Sequence, residues 1–565
     1  MMKSGQHEPL EEIPLSYGQQ ALWLLHKCMP GTGIYNLHWV WSIPDHVDIA
    51  VLKEALKILV HKHPSLMSLY RDNNGECVQY VPKEKPFVFE EHSIDEMTDQ
   101  EFINSHLDEQ VHREFNLEEN PPARWIVFHR KNAKRVVGFF FHHISTDVWS
   151  VMILINELRD LYSRLKDDVA EKVEDDLGSY DDFVQWQRQF VKSTEGKEER
   201  DFWLSELSGL GTTLNLPLDY PRPPVITCNR AGYTKALCND VVSDYVELSV
   251  SLDVSLFSLY MATYHLFLYK YSGQVDIFVG TPTAGRGSDF SGICGYFVNP
   301  IVVRSTIDPT ESVSNFICNM AIKIDQYIEY SKYPLPLISE KMSVIRSDSQ
   351  SQLFQTTFVW DNTNRFENWD DPLVLCDENG KHKWNMDSLG VWDRLLINQQ
   401  VDDFDISFRF YKLKDKMTLS TEYNLDIFKA STVSRMSDHF ENLMIDVCNK
   451  KENKIVDLSL LGEREKHTLI NDWNDSNSQY DKELGFIEIF RKISVYYPDN
   501  KAVCFENESL TYRELDIRSN QLAHYLIENG VGSGSLVGMF VDKSPLVIVC
   551  ILGVLKSGSA YLQSK

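Results

Sequence analysis

The spacing of apolar residues predicts that helices and strands alternate through the first 450 residues. Leu52–His61 has apolar residues at helical spacing, and so does the segment from Val148 to Leu165. Arg135–Phe141 is a continuous apolar run, which is typical of a strand buried on both faces. Tyr245–Tyr271 is predicted to be one long helix, and Asp276–Gly280 a short strand. The pattern as a whole predicts an α/β fold.

The chain changes character after about residue 455. Leu458–Ser478 is predicted to form a short helix followed by a polar linker, and a new apolar pattern begins near Phe486. The longest apolar run, Leu546–Leu555, is half of the roughly 20 residues that span a bilayer. Met1–Pro14 has no apolar core of a secretory signal. We therefore expect no membrane association and a cytoplasmic location.

Composition narrows the possible partners. Hydrophobic residues make up 43% and charged residues 24% of the 565 positions, as in an ordinary globular protein. Lys and Arg number 56 against 82 for Asp and Glu, which gives a formal charge of −26 and disfavours binding to nucleic acid. The ten cysteines are scattered without a C-x-x-C pair, so we expect free thiols in a reducing compartment and no structural zinc.

The segment Phe139–Ser150, FFFHHISTDVWS, carries the most chemistry. Side chains alternate along a strand, so His142 and His143 should point to opposite sides and cannot easily share one metal ion. Ser145 or Thr146 can cap the helix that follows, with Asp147 in its first turn. The positive end of that helix would favour a neutral imidazole and a developing oxyanion. A purely structural role for these residues stays open on this segment alone.

Further motifs give the segment its context, because the chain resembles the condensation domains of nonribosomal peptide synthetases, within the chloramphenicol-acetyltransferase-like acyltransferases. HHISTD at 142–147 is similar to the family signature H-H-x-x-x-D. The other similar segments, in chain order, are LSYGQQALWLL at 15–25, HPSLMSLYR at 63–71, YDDFVQW at 180–186, GYFVNPIVVR at 295–304 and LFQTTFV at 353–359.

Two positions depart from the family pattern. Val148 stands where the family usually has glycine, which could narrow a substrate channel, and Pro300 follows Asn299 in place of threonine. The order Trp149-Ser150 resembles condensation domains, whereas epimerisation relatives tend to show the reverse. The chain looks most similar to members that accept a polyketide-type or other linear acyl donor.

The resemblance implies a fold of two chloramphenicol-acetyltransferase-like lobes in a V-shaped pseudo-dimer, with a tunnel between them. It implies an N-terminal tail at 1–12, a condensation domain at 13–455 with lobes at 13–185 and 190–455, and a linker at 456–480. The remaining region, 481–565, resembles the start of an adenylation domain, since LTYREL at 510–515 and LKSGSAYL at 555–562 are similar to its first core motifs. We expect this incomplete α/β fragment to be inactive.

The implied reaction joins a carrier-bound acyl or peptidyl thioester to the amine of a carrier-bound aminoacyl group. His143 would be the catalytic residue. His142, Asp147 and Arg286 would be structural, with Arg286 similar in position to the arginine that pairs with this aspartate. Four further residues are predicted to line the cleft: Val148, Trp149, Gly295 and Asn299. The chain itself would bind no cofactor or metal. Donor and acceptor carrier proteins would present phosphopantetheine arms in trans, after an upstream synthetase subunit.

Two alternatives remain at this stage. One is a stand-alone acyltransferase of the same fold that uses a free amine or alcohol. The other is an inactive fragment that only binds carriers. The glycine-rich run GTPTAGR at 280–286 nearly spells a phosphate loop but has Arg for Lys, so we do not expect it to bind nucleotide. His61 and His63 are most simply residues of a helix end.

Overall fold

The computed structural model describes residues 12–563, except 74, 85, 169–177, 210–212, 226, 228, 343–352, 362–382, 386–388, 390, 396–403, 414–415 and 477–483. The predicted N-terminal tail lies outside this part, apart from residue 12. The chain divides into two units, Met1–Glu465 and Lys466–Lys565.

The strands are, in chain order, β1 (Ile13–Pro14), β2 (Asn36–Ile43), β3 (Leu69–Asn73), β4 (Glu76–Tyr80), β5 (Phe89–Ile94), β6 (Ala123–Arg130), β7 (Arg135–His142), β8 (Arg230–Ala236), β9 (Asp276–Thr283), β10 (Asn299–Thr306), β11 (Thr356–Asp361), β12 (Lys383–Asn385), β13 (Val391–Arg394), β14 (Ile406–Leu413), β15 (Lys416–Asn424), β16 (Lys501–Phe505), β17 (Glu508–Thr511), β18 (Leu536–Met539) and β19 (Ala560–Gln563).

The α-helices are, in chain order, α1 (Tyr17–Cys28), α2 (Ile49–Lys62), α3 (Asp99–Phe102), α4 (Asp108–His112), α5 (Val148–Lys166), α6 (Tyr180–Lys192), α7 (Thr194–Glu206), α8 (Asn239–Leu252), α9 (Leu256–Ser272), α10 (Val313–Glu329), α11 (Leu335–Lys341), α12 (Ala430–Asn449), α13 (Glu463–His467), α14 (Phe486–Tyr496), α15 (Tyr512–Glu528) and α16 (Pro545–Lys556).

A six-stranded sheet in the order β12-β13-β2-β7-β6-β5 organises the first part of the larger unit. Helices α2 and α5 cover one face, where Leu56 and Leu158 pack against Phe139 and Phe141 of β7. Phe140 of the same strand belongs to the core on the opposite face. The prediction of a strand buried on both faces is therefore confirmed, as are the two helices predicted at 52–61 and 148–165.

A second six-stranded sheet, in the order β10-β9-β11-β14-β15-β8, organises the later part. Helices α9, α10 and α12 supply much of its core, including Tyr264, Ile317 and Phe440. Strand β13 lies in the residues assigned to the second lobe by sequence, yet it pairs with β2 of the first sheet through Asp393 and Ser42. Strands β12 and β13, from the later part of the chain, thus complete the first sheet.

The prediction of one long helix at Tyr245–Tyr271 was wrong. Helix α8 ends at Leu252 and α9 begins at Leu256, with their axes bent by 106°. Asp253 adopts a left-handed φ of 54° and ends α8, and Ser255 caps α9 by accepting a hydrogen bond from Ser258 N–H. Within the described residues no helix by itself has the length and apolarity to cross a membrane, although this bent pair meets the criterion jointly.

The second unit contains α14–α16 and two small sheets. Strands β16 and β17 pair antiparallel, and β18 and β19 pair parallel. The apolar run Leu546–Leu555 lies in α16, which packs against α15 through a core that includes Val549, Leu552 and Leu515. Lys556 anchors the two helices, because its side chain is 1% exposed and donates to Asp516 Oδ1 at 2.6 Å.

Candidate active site

The two histidines stand where β7 ends and the chain turns toward α5. His142 is the last residue of β7 and its side chain is buried, whereas His143 follows the strand and is half-buried. The His142 ring contacts the rings of His26 and Phe115, and the His143 ring contacts Tyr296. The two imidazoles thus have separate surroundings, as strand alternation predicts.

The His143 ring is held in one tautomer. Its Nδ1 lies 2.7 Å from the carbonyl oxygen of Thr146, so Nδ1 carries the proton and donates it to that carbonyl. Nε2 is then the unprotonated nitrogen with a free lone pair. Burial lowers the pKa of the His143 imidazole, while the hydrogen bond to Thr146 and the charge of Asp147 oppose this shift. The result is a neutral imidazole with an available acceptor at Nε2.

His142 has a different task. Its Nδ1 accepts a hydrogen bond from the Ile144 backbone N–H at 3.1 Å, which fixes the first residues of the turn. Burial holds the pKa of His142 well below its usual range, and the nearby His26 and His143 rings lower it further. A neutral, buried ring with one nitrogen bound to the backbone is suited to support the turn.

Asp147 is the N-cap of α5, in place of the predicted Ser145 or Thr146. Its Oδ1 accepts a hydrogen bond from Ser150 N–H at 2.7 Å. The Ser145 hydroxyl instead donates to the His142 carbonyl, and no described residue binds the hydroxyl of Thr146. Three capping residues stand in a row here, and the backbone geometry selects the last of them.

The Asp147 carboxylate also binds the guanidinium of Arg286. Nη2 of Arg286 lies 2.8 Å from both carboxylate oxygens, and both side chains are 2% exposed. Further donors are the Ser150 hydroxyl at 2.7 Å from Oδ1 and the Phe297 N–H at 3.2 Å from Oδ2. Nη1 of Arg286 donates to the Ile293 carbonyl at 2.8 Å. The pair therefore joins the start of α5 to the loop between β9 and β10.

The two predicted residues that follow Asp147 differ in exposure. Val148 is 41% exposed, so its side chain projects away from the buried pair. Trp149 is half-buried, donates from Nε1 to the Ser291 carbonyl at 2.9 Å, and lies under the Arg286 guanidinium at 5.5 Å from the ring centroid. Trp149 thus adds a second link between α5 and the β9–β10 loop.

Gly295 and Asn299, both predicted to line the cleft, are used for packing and loop support. A Cβ on Gly295 would lie 2.0 Å from the Tyr180 ring, so only glycine fits there. The Asn299 amide donates to the carbonyls of Ser331 and Tyr333, each at 2.8 Å, and its Oδ1 accepts from Leu335 N–H. These contacts engage the polar atoms of the Asn299 side chain, and the place of both residues in the cleft stays a prediction.

Several supporting residues were not identified from sequence. The buried Gln19 amide of α1 donates to the Ile144 carbonyl at 3.0 Å and so holds the histidine turn from outside. The Tyr180 hydroxyl lies 3.0 Å from Ser16 Oγ and donates to the Tyr296 carbonyl at 2.5 Å. Gln19 and Tyr180 each lie in a segment similar to a family motif, but neither motif by itself indicates which backbone atom the side chain binds.

The glycines of the run Gly280–Arg286 are explained by close packing. Gly280 lies in β9, where a Cβ would be 2.1 Å from the Phe354 ring. Gly285 has a φ of +63°, and a Cβ there would be 1.7 Å from the Phe297 carbonyl oxygen. These glycines allow close packing, and Arg286 is directed to Asp147. The described residues contain no group of three or more His, Cys, Asp or Glu side chains that could hold a metal ion.

Comparison with known proteins assigns the chain to a family. The family described as "Condensation domain" matches residues 10–470, and the family described as "AMP-binding enzyme" matches residues 490–564. A linear gramicidin synthase from Brevibacillus parabrevis is 30% identical over 97% of this chain, which spans 11% of that protein. Polyketide synthase PksN of Bacillus subtilis (strain 168) is 28% identical over 97% of the chain, which spans 10% of it. The chain thus corresponds to a small part of these relatives.

Solved structures agree on the fold. A four-domain nonribosomal peptide synthetase in its holo form, bound to AMP and glycine, covers 99% of this chain with a TM-score of 0.82 at 21% identity, and the chain covers 42% of it. The starter condensation domain of rhizomide synthetase covers 80% of the chain with a TM-score of 0.65 at 18% identity, and the chain covers 98% of it. The predicted resemblance and its mixed α/β fold are confirmed. The chain belongs to the condensation-domain family of nonribosomal peptide synthetases and carries a short AMP-binding region after that domain.

Proposed function

We propose that this chain forms an amide bond between a carrier-bound acyl or peptidyl thioester and the amine of a carrier-bound aminoacyl group, with His143 as the catalytic residue. The observation that supports this most directly is the state of the imidazole. Its Nδ1–H is committed to the Thr146 carbonyl at 2.7 Å, which leaves Nε2 free to accept a proton or a hydrogen bond. The match to the condensation-domain family over residues 10–470 agrees with this chemistry.

The reaction follows from the chemistry of the two groups. The acceptor amine attacks the thioester carbonyl, a C–N bond forms, and the C–S bond of the tetrahedral intermediate breaks. Nε2 of His143 receives or orients the proton of the amine, and the departing thiolate ends as a thiol. An α-amine has a pKa of about 7.7 to 8.0, so a useful fraction is neutral near pH 7. General-base catalysis by His143 therefore supplies the smaller part of the rate enhancement, and holding both substrates close together supplies the larger part.

The buried residues beside His143 would keep the turn in place. Asp147 and Arg286 fix the start of α5, and the Thr146 carbonyl that binds His143 directly precedes Asp147 in the chain. His142 and Gln19 bind the backbone of Ile144 from two sides. We assign these four residues to support of the turn, and we place Trp149 and Val148 beside the entrance of the substrates.

The substrates would reach His143 on phosphopantetheine arms of two carrier proteins, and the chain would need no cofactor or metal of its own. The relatives that match over 97% of the chain are far longer synthases, which makes carrier domains outside this sequence reasonable partners. We assign the reaction to residues 13–455, with lobes at 13–185 and 190–455, of which the second contributes β12 and β13 to the sheet of the first. The region 481–565 takes no part in this step, and 456–480 links the two.

A stand-alone acyltransferase that uses a free amine or alcohol is not favoured. Multi-domain synthases match the chain across both its condensation and its AMP-binding regions, and the second region would be unexpected in such an enzyme.

The test uses the full chain with two purified carriers, one loaded with an acyl group and the other with an aminoacyl group. We expect mass spectrometry to find the amide product on the acceptor carrier, and we expect His143→Ala to lose it. His61→Ala is the matched control, because His61 is an exposed histidine on α2. The absence of amide with the wild-type chain, or equal product from a soluble amine without an acceptor carrier, would contradict the proposal.

A further inference from the structure

Tyr296 is an aromatic residue whose ring contacts the His143 imidazole. Its ring centroid lies 5.0 Å from that of His143, with the two planes at 86°, so the rings meet edge to face. This geometry is the favourable one for two aromatic rings. Tyr296 is half-buried. Its contact with His143 is made by the aromatic ring.

The backbone of Tyr296 is fixed on both sides. Its carbonyl accepts a hydrogen bond from the buried Tyr180 hydroxyl at 2.5 Å. The next residue, Phe297, donates its N–H to Asp147 Oδ2 at 3.2 Å. Asp147 also caps the helix that follows the His143 turn. The buried carboxylate therefore holds both partners of the ring contact, His143 through its own chain and Tyr296 through the β9–β10 loop.

Gly18 of α1 makes room for the Tyr296 ring. A Cβ at Gly18 would lie 2.7 Å from Cε1 and 3.2 Å from Cδ1 of Tyr296. Gly18 is the second residue of α1, and a methyl group at this position would displace the ring.

We propose that Tyr296 is a positioning residue for the reaction, whose ring, seated against Gly18, holds the His143 imidazole so that Nε2 faces the acceptor amine. This inference rests on the proposed function for the reaction, while the ring contact itself does not. Displacing the ring leaves the hydrogen bond from Nδ1 to Thr146 as the restraint on the imidazole. A misplacement of about 1 Å in an active site can cost up to 10²-fold in rate.

The ring also shields the imidazole from water. Burial is the main cause of the lowered pKa of His143, so removing the ring should raise that pKa toward its ordinary value. The titratable and charged groups nearby are Asp147 with its partner Arg286, and the neutral His142. Substitutions at Tyr296 leave all of these groups in place, so a change in the titration of His143 reports on the ring itself.

The experiment compares Tyr296→Leu, Tyr296→Phe and Gly18→Ala in the full chain. We expect Tyr296→Leu to lower kcat about tenfold with little change in KM. Tyr296→Phe keeps the ring, and we expect it to retain at least about a third of the wild-type kcat. Gly18→Ala should resemble Tyr296→Leu, and it should have no further effect once Tyr296 is leucine. Tyr525→Leu, at a 63% exposed tyrosine of the second unit, is the control.

A second readout separates this inference from the proposed function. Carbon-13 NMR of labelled histidine, with the His143 signal identified by its loss in His143→Gln, gives the titration of the ring without any turnover. We expect Tyr296→Leu and Gly18→Ala to raise its midpoint. If the wild-type chain forms no amide, the proposed function fails while this titration still tests the contact. An unchanged titration in both variants, or an equal loss of kcat in Tyr296→Phe and Tyr296→Leu, would overturn the role of the ring.

Discussion

Removal of the buried guanidinium tests whether the Asp147–Arg286 pair holds the site together. Arg286→Met leaves the Asp147 carboxylate 2% exposed with three neutral donors: the Ser150 N–H and hydroxyl, and the Phe297 N–H. Breaking a buried ion pair by removing one partner costs about 3–5 kcal/mol, because a buried charge is left uncompensated. The variant also loses the contact of Arg286 with the Phe297 ring, at 4.0 Å from the centroid. We expect a loss of at least about 3 kcal/mol in the free energy of unfolding.

Urea unfolding followed by tryptophan fluorescence measures this loss. Of the twelve tryptophans only Trp473 lies outside the larger unit, so the signal reports that unit. Adding Asp147→Asn to Arg286→Met removes the uncompensated charge. The free energy of unfolding of this double variant should exceed the value expected from adding the two single-variant losses by about 1–3 kcal/mol. The control is Arg200→Met at an exposed pair, where about 1 kcal/mol or less is expected. A loss in Arg286→Met no larger than in the control would refute the reasoning.

Three further predictions concern the same region. Burial lowers the pKa of His143, so the midpoint of its carbon-13 NMR titration should lie below pH 6.5, the ordinary imidazole value, and a midpoint above that value would contradict the burial argument. Gly285→Ala should lower the free energy of unfolding by at least about 1 kcal/mol, because Gly285 has a positive φ and a carbonyl oxygen nearby. In the same urea assay, Gly287→Ala should change it by no more than about 0.5 kcal/mol, because Gly287 has open space around it. Gln19→Leu should lower the free energy of unfolding by about 1–3 kcal/mol, because the Ile144 carbonyl loses a buried donor. The same variant should lower turnover. Unchanged stability would show that water replaces the amide.

Local pattern was sufficient for the elements that surround the site. The stripe of apolar residues from Val148 and the continuous run Arg135–Phe141 specify α5 and β7, because burial on one face or on both leaves a distinct periodicity. The break at Asp253 was missed because a single residue in the left-handed region interrupts an otherwise apolar helical pattern without changing its composition. The pairing of β13 with β2 was not predicted, because the two strands are more than 300 residues apart in the sequence.

The site itself needed information beyond local pattern. Arg286 lies 139 positions from Asp147, so only the family resemblance suggested the pair before the structure showed it. The choice of Asp147 over its two neighbours as the N-cap depends on backbone angles that three consecutive capping residues leave undetermined. The contact between Gly18 and the Tyr296 ring depends on steric fit, and neither residue type by itself indicates it.

The most direct test of the central claim is the single-turnover rate of amide formation with both carriers loaded, measured for the wild type and for His143→Ala. General acid–base help is typically worth 10²–10⁴-fold, so the neutral Nε2 of His143 predicts a fall of at least about 10²-fold in the variant. The variant loses one side-chain hydrogen bond, worth about 1 kcal/mol, and should remain folded, which circular dichroism checks. A folded His143→Ala variant that forms the amide within about threefold of the wild-type rate would contradict the account.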